Sequence, residues 1–231
     1  MSYSTRYVAE SGLLTLINQQ YAIKGEKIRL YRAMMGSVFF IQTPSGRKVF
    51  KLYRPVAKDR AIQTTHIIPF LDSCEYPVVQ IIPTISGALY ISVERPEGNC
   101  VGVLFDYTAG ICIWTLEKGD GWVMNPLTRE FSKSVGRMHR LMELYDKPLI
   151  YRDGEYYFDS LVRLLRRDNY DEAKIRDFEE YGNELRSISE KLPIGFCHGD
   201  PHAGNTKYRS GQFTWMDFDN ASKSYPMLDI G

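Results

Sequence analysis

The sequence predicts an α+β chain of two lobes, a small antiparallel β-sheet lobe followed by a mainly helical one. Three observations lead there. Runs of β-rich composition crowd the N-terminal part, and apolar residues at three- and four-residue steps take over after Gly110. No internal repeat or low-complexity linker separates the two textures. The expected division is 1–107 and 108–231, with a cleft between the lobes.

The elements follow in order. Ser11 stands as a plausible N-cap before Leu13, Leu14, Leu16 and Ile17, an apolar set at helical spacing. Ile28–Ala33, Ser37–Gln42 and Lys48–Tyr53 then read as strands. Met34-Met35-Gly36 and Thr43-Pro44-Ser45-Gly46 separate them as tight connections, so the three form an antiparallel meander. Ala57–Leu71 is helix-like, with Ile62, His66, Ile67 and Phe70 on or near one face, and Pro69 is expected to disturb its last turn. Val78–Ile82, Ala88–Val93 and Val101–Tyr107 return to strand composition. Phe131, Val135, Met138 and Met142 mark one later helix, and Ile175, Phe178, Leu185 and Ile188 another. Thr206–Arg209 and Gln212–Met216 read as a hairpin turning at Ser210-Gly211.

Composition narrows the function classes. The chain has 231 residues, 44% apolar and 13% aromatic, enough to bury a core. Its 29 basic and 28 acidic residues leave a formal charge of +1, which excludes a large positive field for nucleic acid or anionic lipid. No apolar stretch approaches the ~18 residues of a membrane span, and Met1 to Gly25 contains no secretory h-region. The expected location is therefore the cytoplasm, with no membrane or nucleic-acid partner and an oligomeric state the sequence does not specify. Cys74, Cys100, Cys112 and Cys197 form no C-x-x-C pair and read as reduced thiols.

The chemistry concentrates in His198-Gly199-Asp200-Pro201-His202-Ala203-Gly204-Asn205 and in Asp217-Phe218-Asp219. The intervening hairpin would bring the two ends together, with Asp217 near Asp200 and Asn205. Phosphoryl transfer needs a carboxylate to take a hydroxyl proton and hard oxygen ligands to hold Mg²⁺ on nucleotide phosphates. Asp200 fits the base, and Asn205 with Asp217 fits the metal. Two other readings stand beside this one: a zinc site on His198, His202 and Asp200, or a Gly/Pro-rich loop in which Asp and Asn cap turns.

The string His198-Gly199-Asp200-x-His202-x-Gly204-Asn205, with Asp217-Phe218-Asp219 and Asp229, resembles the aminoglycoside phosphotransferase and choline kinase family, relatives of the protein kinases. The resemblance implies a protein-kinase-like fold, Mg²⁺ and ATP as cofactors with GTP also possible, and a small-molecule hydroxyl as phosphoryl acceptor. It makes Asp200 the catalytic base and Asp217 the metal-binding aspartate. Lys51 resembles the family's nucleotide lysine, Ser37 lies in the phosphate-covering turn, and the Asp106 carbonyl and Thr108 amide fall where the hinge meets adenine. Val135 to Leu141 resembles the helix under the catalytic loop, with His139 a packed histidine.

Three departures matter. The family pairs the lysine with a helix glutamate, but Ala57–Leu71 contains no Glu, so either another acid serves or Lys51 is held differently. The phosphate-covering turn contains only Gly36. The chain ends at Asp229-Ile230-Gly231, where family members continue into further helices lining the acceptor pocket, so the resemblance implies that those helices are missing. Acceptor recognition would rest on residues such as Tyr156, Tyr157, Arg163, Arg166 and Arg167, although Arg166-Arg167 also reads as a solvated helix face. Besides a small-molecule kinase, the sequence is compatible with a Ser/Thr protein kinase of the bacterial stress type and with a catalytically weak nucleotide-binding or scaffold protein.

Overall fold

The computed structural model describes residues 10–34, 36–112, 126–152, 154–189 and 191–230. Met35, Gly231 and the side chains of Ser11 and Tyr157, invoked above, lie outside the described residues. The chain divides into two compact units, Met1–Asp120 with His202–Asp219, and Gly121–Pro201 with Asn220–Gly231.

The elements in chain order are α1 (Glu10–Gln20), β1 (Lys27–Ala33), β2 (Gly36–Thr43), β3 (Gly46–Tyr53), α2 (Lys58–Ser73), β4 (Ile91–Arg95) and β5 (Gly98–Asp106). Then come α3 (Pro126–Met142), α4 (Gly154–Arg167), α5 (Glu172–Ser189), β6 (Gly195–Cys197), β7 (Thr206–Arg209), β8 (Gln212–Trp215) and β9 (Ser222–Ser224).

In the first unit β1 to β5 form one antiparallel sheet in the order β1-β2-β3-β5-β4. Successive side chains of a strand alternate between faces. Phe39 and Ile41 of β2 and Phe50 and Leu52 of β3 therefore point to one side, where they pack in a core with Leu13, Ile17 and Tyr21. Val38, Phe40, Val49 and Lys51 take the other face, which lines a cavity.

Several boundaries differ from expectation for identifiable reasons. Ser11 falls inside α1, which starts one residue earlier. Pro69 does not end α2, which continues to Ser73. Its fixed φ suits a helix, and the lost backbone bond and the crowding of its ring against the carbonyl four residues back are offset by the burial of Ile67, Ile68 and Leu71 around it. The strand expected from Ala88 begins only at Ile91, because the Ala88 N–H donates to Thr84 Oγ1 at 2.9 Å and closes a turn. Residues 78–82 run extended but form only single bridges, Val78 with Trp215 and Ile81 with Phe105.

In the second unit α3 buries Val135, Met138 and Met142, the repeat visible in the sequence. α4 and α5 pack on each other, and the close approach of Gly182 to Phe158 accounts for a glycine within α5. β6 and β9 pair antiparallel, Gly195 with Ser224 and Cys197 with Ser222. No helix among the described residues is long and apolar enough to cross a membrane.

Candidate active site

Lys51 occupies the middle of the sheet because β3 runs between β2 and β5, placing it opposite Val38 on one side and Val103 on the other. Its face of the sheet borders a cavity of about 450 Å³ within the first unit. Val38, Phe40 and Val49 give the cavity an apolar wall, and Thr64 and Ile68 of α2 contribute another. Phe105 to Thr108, at the end of β5, line it, as do Asn205 and Asp217 from the base of the β7–β8 hairpin. An apolar cavity with a few converging polar groups is the usual form of a small-molecule site.

The hairpin delivers those last two residues together. Thr206 pairs with Trp215 and Arg209 with Gln212, as the spacing predicts. The Met216 N–H donates to the Asn205 carbonyl at 3.0 Å, so Asn205 and Asp217 leave the hairpin side by side. Trp215 is fully buried, and its N–H donates to the Pro77 carbonyl at 2.9 Å, anchoring the hairpin beside residues 77–79. Ala203–Asn205 form a 3-10 turn in which His202 Nδ1 accepts the Gly204 N–H at 2.9 Å. His202 thus serves as a local cap. Asp217 has a φ of 64°, a left-handed conformation that costs a non-glycine residue on the order of 1 kcal/mol or more and that recurs where a side chain must be aimed.

The electrostatic centre is Lys51. Its Nζ lies 2.7 Å from Asp217 Oδ1 and 2.7 Å from Asp219 Oδ2, while the Tyr53 hydroxyl donates to Asp219 Oδ1 at 2.9 Å. The acid that α2 does not supply therefore comes from the segment after β8. Burial works against the Lys51 ammonium, yet the charges of Asp219 and Asp217 outweigh it and raise its pKa above the usual value. Burial pushes the Asp219 carboxyl up despite Lys51, and burial with the nearby carboxylates pushes the Tyr53 phenol well above its ordinary range.

The other sequence-selected residues take distinct places. Asp106 Oδ1 receives Lys48 Nζ at 2.9 Å and the Tyr107 N–H at 2.8 Å, and the Asp106 N–H donates to the Gln80 carbonyl at 2.8 Å. Thr108 lies two residues on, also lining the cavity. Arg47 stacks its guanidinium over Phe40 and Tyr107, 5.1 Å and 4.9 Å from the ring centroids. Ser37 pairs with Leu52 and does not line this cavity, though Val38 beside it does.

Asp200 belongs to the second unit, on the half-exposed loop after β6. That loop is fixed by Asp229, whose buried carboxylate accepts the His198 N–H at 2.6 Å and the Gly199 N–H at 2.9 Å. His139 Nε2 lies 2.8 Å from the same carboxylate, and its ring meets Phe196 edge-on at 6.1 Å, a packed histidine as expected. Sequence reasoning did not assign roles to Asp219 or Asp229. The signals available were the Asp-x-Asp spacing at 217 and 219 and the presence of Asp229 in the motif string.

Asn205 and Asp217 offer an amide oxygen and a carboxylate, hard donors that suit Mg²⁺. Among the described residues no three His, Cys, Asp or Glu side chains group as a metal site. These two donors fit an ion that takes its remaining ligands from phosphate and water.

Comparison with known proteins bears on the whole chain. The family model APH, the phosphotransferase enzyme family, matches residues 33–231. The chain belongs to the phosphotransferase enzyme family. No curated protein matches its sequence. Among solved structures, amicoumacin kinase hAmiN in complex with AMP-PNP, Ca²⁺ and Ami is 16% identical, with a TM-score of 0.77 over 96% of this chain and 67% of that one. Spectinomycin phosphotransferase APH(9)-Ia, in complex with ADP and spectinomycin, is 16% identical with a TM-score of 0.64, over 97% of this chain and 73% of that one. A microcompartment-associated aminopropanol kinase is 13% identical with a TM-score of 0.59, over 95% and 67%. At these identities the likeness establishes the fold, which is the kinase-like α+β fold that the sequence predicts for this phosphotransferase-family chain.

Proposed function

We propose that the chain is an ATP- and Mg²⁺-dependent phosphotransferase whose acceptor is a hydroxyl of a small molecule, such as an amino sugar, amino alcohol, sugar or antibiotic. The observation that carries this reading is the convergence of Lys51, Asn205 and Asp217 on one cavity bordered at the end of β5 by Asp106 and Thr108. The names of the similar proteins, kinases of amicoumacin and aminopropanol and a phosphotransferase of spectinomycin, support a small-molecule acceptor.

In this reading the apolar wall of Val38, Phe40 and Val49 receives the adenine, whose edge meets the Asp106 carbonyl and the Thr108 amide. The Asp106 N–H donates to the Gln80 carbonyl, so the adenine contact assigned to this residue is through its carbonyl. Lys51 binds the α- and β-phosphates. Asn205 and Asp217 hold Mg²⁺, which would neutralise charge on the phosphate oxygens. Asp200 accepts the acceptor's hydroxyl proton as its oxygen bonds to the γ-phosphorus. The bond from that phosphorus to the bridging oxygen breaks and ADP leaves.

The test is phosphoryl transfer from ATP to a panel of amino sugars, amino alcohols and sugars, with wild type and Asp200→Asn. The expected result is turnover on at least one class, reduced about 10²–10⁴-fold in the variant, with nucleotide affinity unchanged. Wild-type turnover in Asp200→Asn overturns the role of that residue. Phosphate appearing on protein alone would identify a protein kinase, and nucleotide binding without transfer would identify a binding protein.

A further inference from the structure

α2 borders the cavity through Thr64 and Ile68, and neither can neutralise a lysine. The acids of α2, Asp59 and Asp72, stand at its two ends, and Asp72 accepts the Gln80 amide at 2.7 Å. Thr64 is 1% exposed and its hydroxyl has no hydrogen-bond partner. A helix that supplied a carboxylate to Lys51 would need one on its cavity side, and that side has only an idle hydroxyl.

The partners that Lys51 does have are unequal. Asp217 is the more open, with 41% of its side chain exposed against 23% for Asp219. Asp219 has both oxygens engaged, Oδ2 by Lys51 and Oδ1 by Tyr53. Tyr53 also lays its ring 5.0 Å from the Lys51 ammonium. Phe218, fully buried between the two aspartates, pins the segment, so that residues 217 and 219 project to the same side. A metal ion on Asp217 would compete with Lys51 for that carboxylate, whereas Asp219 is the less exposed of the two partners of the lysine.

We propose that Asp219, braced by Tyr53, is the positioning residue for Lys51, doing from the segment after β8 what a helix carboxylate does elsewhere. The inference rests on the assignment of Lys51 to the nucleotide phosphates. In this account Asp219 holds Lys51 and Tyr53, one through each oxygen, and the metal falls to Asn205 and Asp217. Its removal releases both Lys51 and the Tyr53 hydroxyl, and the effect on the nucleotide phosphates runs through Lys51.

The experiment is calorimetric titration of the full chain with Mg-ATP and, separately, with adenosine, using wild type, Lys51→Met, Asp219→Asn, the double variant and Tyr53→Phe. Asp219→Asn should weaken Mg-ATP about tenfold or more, equivalent to about 1.4 kcal/mol, and leave adenosine affinity unchanged. Lys51→Met in the Asp219→Asn background should add little, because the two residues act as one unit. Tyr53→Phe should weaken Mg-ATP by a smaller factor. Losses that multiply in the double variant, or an Asp219→Asn affinity within twofold of wild type, overturn the proposal. Wild type that binds adenosine but gains nothing from the phosphates overturns the Lys51 assignment itself, and this inference with it. Should Asp219→Asn fail to fold, Asp219→Glu and Tyr53→Phe carry the same comparison, with wild-type-like Mg-ATP affinity in both as the contrary result.

Discussion

His139 of α3 and Asp229 near the C-terminal end meet at 2.8 Å, and through the Asp229 carboxylate the helix is tied to the backbone of the loop that presents Asp200. One buried carboxylate thereby serves three donors: an imidazole, the His198 N–H and the Gly199 N–H. Removing it strands two backbone N–H groups as well as the histidine.

Asp229→Ala should cost about 3–5 kcal/mol in urea unfolding, the scale for breaking a buried, hydrogen-bonded charge. His139→Ala, which leaves the carboxylate its two backbone donors, should cost clearly less. Equal losses in the two variants would show that the backbone bonds contribute nothing.

Gly199 has a φ of 79°, and a Cβ there would collide with the Asn220 carbonyl. Gly199→Ala should lower stability by at least about 1–2 kcal/mol from the backbone alone, and impair turnover by displacing the neighbouring Asp200. Gly136, inside α3 with nothing within 4 Å of a would-be Cβ, is the control. Gly136→Ala should stabilise by about 0.5–1 kcal/mol. Thermal unfolding of the two variants reads both signs.

Burial, with Asp229 nearby, pushes the Cys197 thiol up to about 12. The unfolded chain ionises this thiol near its ordinary pKa of about 8.5, so the folded state holds the proton more tightly. The resulting stability is fully present below about pH 8.5 and is lost as pH rises towards the folded value. Between pH 8 and 10.5 wild type should lose more unfolding free energy than Cys197→Ala, and the native thiol should resist alkylation at pH 8. Parallel pH profiles would contradict the shift.

Arg166, named from sequence as a possible contact for an anionic acceptor, is half exposed and bonded to Glu172 and Glu179 at 2.9 Å each. Surface pairs of this kind contribute little. Arg166→Ala should leave the unfolding midpoint nearly unchanged and leave kcat and KM for any acceptor unchanged. A selective rise in KM for an anionic acceptor would restore the functional reading.

The meander of β1 to β3 was legible because alternation and Gly/Pro turns are local signals, and so was the β7–β8 hairpin with its Ser210-Gly211 turn. Lys51, Asn205 and Asp217 came from strings far apart and line one cavity. β6 and β9 were not legible: three-residue strands separated by two dozen residues carry no periodicity, and their pairing is a tertiary fact. Nor could spacing assign Asp219 to Lys51, since that pair joins residues 168 positions apart, and the sequence offered only the absence of a glutamate on α2. The helix expected through Pro69 to Leu71 is present and runs two residues further, because burial on either side outweighs what the proline costs.

The central claim is that Lys51, Asn205 and Asp217 form a metal-assisted nucleotide site, and calorimetric titration with ATP, with and without Mg²⁺, tests it most directly. The account predicts saturable binding that tightens when Mg²⁺ is added and that loses this gain in Asp217→Ala, with GTP as the comparison for base preference. Absence of binding, or affinity indifferent to Mg²⁺ in wild type, would contradict it.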